Sequence, residues 1–217
     1  MTDAFALRLA TADDAAAVRR IYAPFVADTA ITFEQDDPSR DEIRGRIEET
    51  LPASPWLVCE RSGESDEADE SDELGGEVVG YAYAGPVRKR AAYQWSVESS
   101  VYVDPAAQRR GVARALYTAL IALLADQGYR NIFAVMTLPN EASAAFHEAL
   151  GFESVGVLAD AGYKLGDWHD VAWLQKRIGS EGDAAADAPA PPRSLDDLPP
   201  EALAAALRAG EAHLGTA

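Results

Sequence analysis

One long segment places a hydrophobic residue at every fourth position: Val112, Leu116, Leu120 and Leu124. This spacing gives a continuous apolar stripe on one side of a helix, which predicts an amphipathic helix packed on a core. Gly128 follows the stripe and is the residue type that most often ends a helix. Three further helices are predicted by their start signals: Thr11 before residues 12–27, the Ser39–Glu42 capping box, and Asn140 before "EASAAFHEAL".

Shorter apolar runs bounded by turn residues predict strands. These runs are "LRLA", "WLVCE", "VVGYAYAG", "WSVESSVYV", "NIFAVM", "FESVGVL" and "DVAWLQK". The resulting order is a strand, two helices, three strands, a helix, a strand, a helix and two strands. It predicts a mixed α/β domain over about residues 4–178, with a central twisted sheet flanked by helices.

Two segments fall outside this pattern. Residues from about 62 to 76 are acidic and poor in apolar side chains, which predicts a solvated loop rather than an acidic partner-binding segment. Residues 179–217 begin as an acidic, proline-rich linker, for which we expect flexibility, and end in a stretch that can form one short helix.

The composition limits the partners and the cellular compartment expected for the protein. A formal net charge of −17 argues against nucleic-acid or anionic-membrane partners, and no apolar run reaches the ~18 residues of a membrane helix. Only three of the 19 basic residues are lysines, and so acidic a surface suggests a halophilic source. Cys59 is the single cysteine, so an internal disulfide is excluded and a cytoplasmic location is expected. No cluster of His, Cys and Asp suggests a metal site.

The segment "QRRGVA", Gln108–Ala113, joins a predicted strand to the predicted amphipathic helix. Amide groups at a helix N-terminus attract anions, Gly111 permits close approach of the backbone, and Arg109, Arg110 and Arg114 add positive charge. The segment lacks the lysine of a Walker loop and the second glycine of a dinucleotide fingerprint. A different kind of anion-binding loop is therefore predicted.

The segment resembles the [QR]-x-x-G-x-[GA] motif of the GNAT superfamily of N-acetyltransferases. "VYVDP" before it, "LPNEAS" and "HEALGF" after it also fit that superfamily in order and spacing. "AYAGPVRKRAAYQWSVESSVYV", "VMTLPNEAS" and "AGYKLGDWHDVAWLQK" are similar to the phosphinothricin and methionine sulfoximine N-acetyltransferases. The resemblance implies a GNAT domain over residues 1–178 with acetyl-CoA as co-substrate and no metal. It covers neither the acidic loop nor the C-terminal segment. In "GPVRKR" a valine stands where the family often has an aromatic residue, which can alter the substrate pocket.

The resemblance also implies residue roles. The cofactor would contact the loop residues Arg109, Arg110, Gly111, Val112, Ala113 and Arg114, the strand residues Val101, Tyr102 and Val103, and Asn140, which serves equally as a helix cap. Glu98, an acid inside an otherwise apolar strand, would be the base that deprotonates the amine. His147 would be an acid or second base, in a position where many superfamily members have tyrosine.

The substrate would be a small anionic amino acid acetylated on its α-amine. Arg88 or Arg90 would bind its acidic group, with Tyr93 and Tyr163 also in the pocket. The resemblance further implies a homodimer in which Phe33 completes the pocket of the partner. The alternatives are an acetyltransferase for protein N-termini and a non-catalytic acyl-CoA sensor. Proton-transfer groups at Glu98 and His147 argue against the sensor.

Overall fold

The computed structural model describes residues 4–62, 76–178 and 189–215. Most of the predicted acidic loop, and residues 179–188 of the predicted linker, lie outside these ranges. Within them the helices are α1 (Ala15–Asp28), α2 (Arg40–Thr50), α3 (Val112–Gln127), α4 (Glu141–Ala149) and α5 (Pro200–Glu211). The strands are β1 (Ala4–Leu9), β2 (Trp56–Ser62), β3 (Glu77–Pro86), β4 (Ser96–Val103), β5 (Asn131–Thr137), β6 (Glu153–Lys164) and β7 (Asp167–Arg177). The predicted mixed α/β class is confirmed.

The seven strands form one sheet in the order β1-β2-β3-β4-β5-β7-β6. Every neighbouring pair is antiparallel except β4 and β5, which are parallel and joined by α3. A parallel pair needs such a crossover because the chain must return to the same end of the sheet.

The two faces of the sheet carry separate cores. On one face α1 and α2 pack on Trp56, Val58 and Tyr81. On the other face α3 packs on the apolar residues that alternate with these, so that Leu116 and Leu120 are fully buried. Side chains alternate between faces along a strand, and this alternation decides which side of the sheet each site residue faces.

Local signals start α2 and end α3 as the sequence predicts, whereas the helix predicted from residue 12 begins as a 3₁₀ turn, Ala12–Asp14, and becomes α-helical at Ala15. Ser39 Oγ accepts a hydrogen bond from the backbone N–H of Glu42, and the Glu42 carboxylate accepts one from the N–H of Ser39. Gly128 ends α3 with a φ of 95°, a value that favours glycine.

The short C-terminal helix anticipated from the sequence is α5, and it is packed against the domain. Leu195 and Leu198 before it, and Ala206 within it, are buried in the same core as α3. These apolar residues are buried because α3 presents apolar side chains to α5 as well as to the sheet.

Candidate active site

A cleft opens in the sheet where β4 and β5 separate. The two strands pair only at Ser96–Asn131, Val97–Ile132 and Glu98–Phe133, although both continue beyond those residues. A pocket lies between the diverging ends and is lined by Ser99–Tyr102 of β4, Ala134–Thr137 of β5, Ile31, Tyr117, Asn140, Ser143 and His147. The β4 edge that faces the pocket no longer bonds to β5, so its backbone groups are available to a ligand.

Glu98 is the last β4 residue that pairs with β5. Its side chain lies on the α1–α2 face, because its neighbours Ser100 and Tyr102 share that face and Tyr102 stacks on Tyr81. Burial raises the pKa of the Glu98 carboxyl above its ordinary value, and the positive charge of Arg88 partly opposes that rise. A carboxylate in this environment is a stronger base than an exposed one.

His147 is buried on the opposite, α3–α4 side of the cleft, with 5% of its surface exposed. Its Nδ1 lies 2.8 Å from the carbonyl oxygen of Ser143, which only accepts hydrogen bonds, so Nδ1 carries the proton. Nε2 is then an acceptor in the neutral ring. Burial lowers the pKa of His147, which keeps the ring neutral at pH 7.

Tyr117 and Ser99 were not predicted as site residues, yet Tyr117 contacts His147 and Ser99 contacts Tyr117. The hydroxyl of Tyr117 lies 3.2 Å from His147 Nε2 and 3.1 Å from Ser99 Oγ. Because neutral His147 accepts at Nε2, Tyr117 is the donor to it, and Ser99 is left to donate to Tyr117 or to the Phe133 carbonyl. Burial raises the pKa of Tyr117 well above its usual range, so the hydroxyl stays protonated.

The cleft therefore separates two proton-transfer groups. Glu98 and Ser99 are adjacent in β4 and point to opposite faces, so the carboxylate and the Ser99–Tyr117–His147 chain lie on different sides of the sheet. A reactant threaded between β4 and β5 can exchange protons with one group on each side.

The Gln108–Ala113 loop precedes α3 and has an unusual backbone. Arg109 has a φ of 61° and Gly111, the N-cap of α3, a φ of 82°. Val112 and Ala113 are the first two helical residues, whose amides have no intrahelical acceptor. The loop has the backbone amides and the arginine charges that an anion site requires.

Three of the predicted cofactor residues, Val101, Tyr102 and Asn140, line the cleft. Val103 lies beyond the lining residues. Asn140 lines the cleft and also caps α4, since its Oδ1 accepts a hydrogen bond from the N–H of Ser143 at 3.1 Å. The ring of Tyr102 packs edge-on against Tyr22, 4.9 Å between centroids, so that side chain belongs to the core.

The predicted substrate residues fall into two groups. Arg88, Arg90 and Tyr93 are all exposed. Arg88 lies near Glu98, with its guanidinium 5.6 Å from the ring centre of Trp173, and Arg90 and Tyr93 belong to a short 3₁₀ turn. The segments that contain Phe33 and Tyr163 meet at a second place, where three contacts join them. A Cβ on Gly162 would lie 2.2 Å from the Phe33 ring, Gln35 Nε2 donates to the Tyr163 carbonyl, and Lys164 Nζ donates to the Thr32 carbonyl.

Two further observations concern the described ranges only. No three His, Cys, Asp or Glu side chains there are grouped so as to hold a metal ion. None of the helices there combines the length and apolar content of a membrane span.

Comparisons with known proteins show the family of the chain. A family model described as an acetyltransferase (GNAT) domain matches residues 7–173. The chain is 38% identical over 189 residues to a phosphinothricin N-acetyltransferase of Streptomyces viridochromogenes, covering 87% of this chain and 92% of that protein. It is 31% identical to an L-methionine sulfoximine/L-methionine sulfone acetyltransferase of Salmonella typhimurium, covering 84% and 98%.

A solved structure shows the same fold with a cofactor present. The crystal structure of a GNAT superfamily phosphinothricin acetyltransferase from Sinorhizobium meliloti in complex with acetyl-CoA superposes with a TM-score of 0.74. The two chains are 34% identical, and the match covers 88% of this chain and 96% of that one.

Proposed function

The chain belongs to the GNAT family of acetyltransferases, and on that premise we propose that it acetylates the α-amine of a small anionic amino acid. The family resemblance expected from the sequence is confirmed, and the enzyme is an N-acetyltransferase that uses acetyl-CoA. One observation supports the finer proposal: a half-buried carboxylate, Glu98, lies within electrostatic reach of the Arg88 cation at the point where the cleft opens.

Glu98 acts as the base for the amine. An alkylammonium has a pKa of about 10 and must lose a proton before it can attack. Glu98 takes that proton, and the amine nitrogen forms a bond to the thioester carbonyl carbon. Backbone amides on the free β4 edge near Val101–Val103 stabilise the oxyanion of the tetrahedral intermediate.

His147 and Tyr117 complete the proton balance on the other side of the cleft. The tetrahedral intermediate carries a second N–H proton, and the departing CoA thiolate needs one. Neutral His147 presents an acceptor at Nε2, hydrogen-bonded to Tyr117, so the pair accepts the nitrogen proton and passes it to sulfur as the C–S bond breaks. His147 thus serves as second base and then as acid.

The Gln108–Ala113 loop binds the pyrophosphate of acetyl-CoA. Its positive-φ backbone at Arg109 and Gly111 precedes the amides that open α3, and Arg109, Arg110 and Arg114 supply charge. The pantetheine arm then follows the free β4 edge toward Glu98.

The choice of substrate depends on Arg88. The chain has a large acid excess, so a cation next to the catalytic carboxylate is conspicuous, and a guanidinium pairs well with a carboxylate or phosphinate. Phosphinothricin and methionine sulfoximine are the amino acids named for the relatives, and both carry a carboxylate beside the α-amine.

We also propose a homodimer, as expected from the family resemblance. β6 is an edge strand of the sheet, and the β6–β7 hairpin exposes a set of large apolar side chains that a partner would cover. They are Val155, Val157, Leu158, Tyr163, Leu165 and Trp168, each more than half exposed.

A thiol-release assay with acetyl-CoA and a panel of amines tests the proposed function. We expect phosphinothricin and methionine sulfoximine to be acetylated, and a simple alkylamine and an N-terminal peptide to be poor acceptors. Preference for the peptide would favour an N-terminal acetyltransferase. Acetyl-CoA binding without release of thiol for any amine would favour a sensor.

Glu98→Gln tests the base directly. It keeps the shape of the side chain and removes the proton acceptor, so kcat should fall by about 10²–10⁴-fold while acetyl-CoA affinity stays constant. Glu77→Gln is the matched control, because Glu77 pairs with Arg61 on the exposed end of β3. Near-normal turnover in Glu98→Gln would remove Glu98 from its assigned role.

A further inference from the structure

The C-terminal segment runs back along the whole length of α3. At the C-terminal end of that helix, the backbone N–H of Arg193 donates to the Gln127 carbonyl at 2.8 Å, and Gln127 Nε2 donates to the Arg193 carbonyl at 2.9 Å. At the other end, the N–H of Gly215 donates to the Arg110 carbonyl at 3.1 Å. The segment therefore spans from the end of α3 to the loop that precedes it.

α5 is fixed closely against the domain between those two points. A Cβ on Gly210 would lie 2.4 Å from the Ala115 carbonyl oxygen, so the backbones of α5 and α3 are nearly in contact. Ala206 is buried in the same interface, and Glu211 Oε1 accepts a hydrogen bond from the N–H of Leu7 at 2.9 Å. A helix held so closely has little freedom to move its end away from the loop.

The end of the segment touches Gly111 itself. A Cβ on Gly111 would lie 1.9 Å from the His213 carbonyl oxygen, a distance that no side chain tolerates. Arg109 and Gly111 both have positive φ values, and a non-glycine residue such as Arg109 keeps that conformation only where its surroundings enforce it. The contacts of His213 with Gly111 and of Gly215 with Arg110 fall within this segment of positive φ.

We propose that residues 213–215 are a positioning element that holds the Gln108–Ala113 loop in its pyrophosphate-binding conformation. The inference rests on the proposed assignment of that loop to acetyl-CoA. Once the support is removed, the loop can adopt other conformations. The apparent affinity for the cofactor then falls in proportion to the fraction of molecules whose loop is in the binding-competent conformation. The contacts described for residues 213–215 join them to Arg110 and Gly111, whereas Glu98 and His147 belong to β4 and α4, so turnover at saturating cofactor should be preserved.

The test compares the full chain with a chain shortened by five residues to end at Ala212, which keeps α5. Calorimetry measures binding of acetyl-CoA and of S-acetylpantetheine, which carries the same thioester without the pyrophosphate. We expect the shortened chain to bind acetyl-CoA about fivefold more weakly, the scale of one net hydrogen bond. S-acetylpantetheine binding and kcat at saturating acetyl-CoA should change less than twofold.

A second pair of variants keeps the test valid if shortening alters stability. Gly111→Ala places an alanine at a positive φ and makes its Cβ clash with the His213 carbonyl. Gly128→Ala, at the other end of α3, places an alanine at a positive φ without any clash. In the full chain Gly111→Ala should be the more damaging of the two for acetyl-CoA binding. In the shortened chain, where the His213 carbonyl is absent, part of that difference should disappear, and Gly128→Ala should have the same effect in both.

The outcomes distinguish a failure of the positioning role of residues 213–215 from a failure of the pyrophosphate assignment of the loop. A folded shortened chain, verified by its thermal melt, that binds acetyl-CoA normally would overturn the positioning role. Equal weakening of acetyl-CoA and S-acetylpantetheine would also overturn it, because the effect would not act through the pyrophosphate. If the intact enzyme bound both thioesters equally well, the assignment of the loop to the pyrophosphate would fail instead.

Discussion

Replacing Arg88 by glutamine removes one charge from the substrate side of the cleft and leaves the sheet intact. The guanidinium of Arg88 lies over the Trp173 ring and lowers the pKa of Glu98, so two effects should follow from its loss. A hydrogen bond to a charged group contributes about 1.5–3 kcal/mol, so kcat/KM for phosphinothricin should fall about 10- to 150-fold. An alkylamine without an acidic group makes no such bond, so its kcat/KM should fall much less.

The second effect has a definite sign. Glu98 works as a base only when it is ionised, so activity is present above its pKa and is lost as pH falls through it. Arg88 holds that pKa below the value that burial alone would give. Without the charge, the acid limb of the kcat/KM profile should move to higher pH for every amine, including the alkylamine.

The assay measures kcat/KM against pH for phosphinothricin and an alkylamine, with the wild type, Arg88→Gln and Arg90→Gln. Arg90 is the matched control, since it belongs to the same exposed cationic run, whereas the charge that acts on the pKa of Glu98 is that of Arg88. Equal losses in Arg88→Gln and Arg90→Gln would refute the assignment of the anion to Arg88. An acid limb that stays in place in Arg88→Gln would refute its electrostatic coupling to Glu98.

Three further predictions follow from other parts of the molecule. Tyr117→Phe removes the buried hydroxyl that bonds to His147 Nε2 and Ser99, so the free energy of unfolding in urea should fall by about 1–3 kcal/mol and kcat should also fall. The control is Tyr129→Phe, which removes a buried hydrogen bond to Ser54 and should leave kcat unchanged. With a net charge of −17, thermal melts should show higher stability in molar KCl than at low salt, and equal stability would exclude a halophilic adaptation. Val157→Lys, in the exposed apolar set of β6, should shift light scattering from dimer to monomer, and a fully active wild-type monomer would contradict the dimer.

Periodicity and start signals were sufficient to predict the order of elements, because each depends on neighbours within a few residues. Glu98 was a candidate from the sequence, since an acid in an apolar strand costs stability and the family resemblance implies that it is the base; its role stays a prediction. Its neighbour Arg88 was one of two candidates in the sequence, and spatial proximity to Glu98 now favours it over Arg90.

Tyr117 and Ser99 could not be found in this way. Tyr117 lies among the apolar residues of the α3 stripe and is fully buried, as a core tyrosine would be. Its hydroxyl gains a role only when α4 brings His147 to it from 30 residues further along the chain. The contact of His213 with Gly111 joins residues about a hundred positions apart, and neither residue type signals the other.

The register of β4 protects the arrangement of the site. Val97, Val101 and Val103 alternate with Glu98 and Ser100 and must face the apolar core around α3. A slip of one residue would turn all three valines to the other face and exchange Glu98 for Ser99, so the carboxylate would lie against Tyr117. The same burial that fixes the fold therefore keeps Glu98, the proposed base, on the face of the sheet opposite the Tyr117–His147 pair. Folding and catalysis depend here on one pattern of alternating side chains.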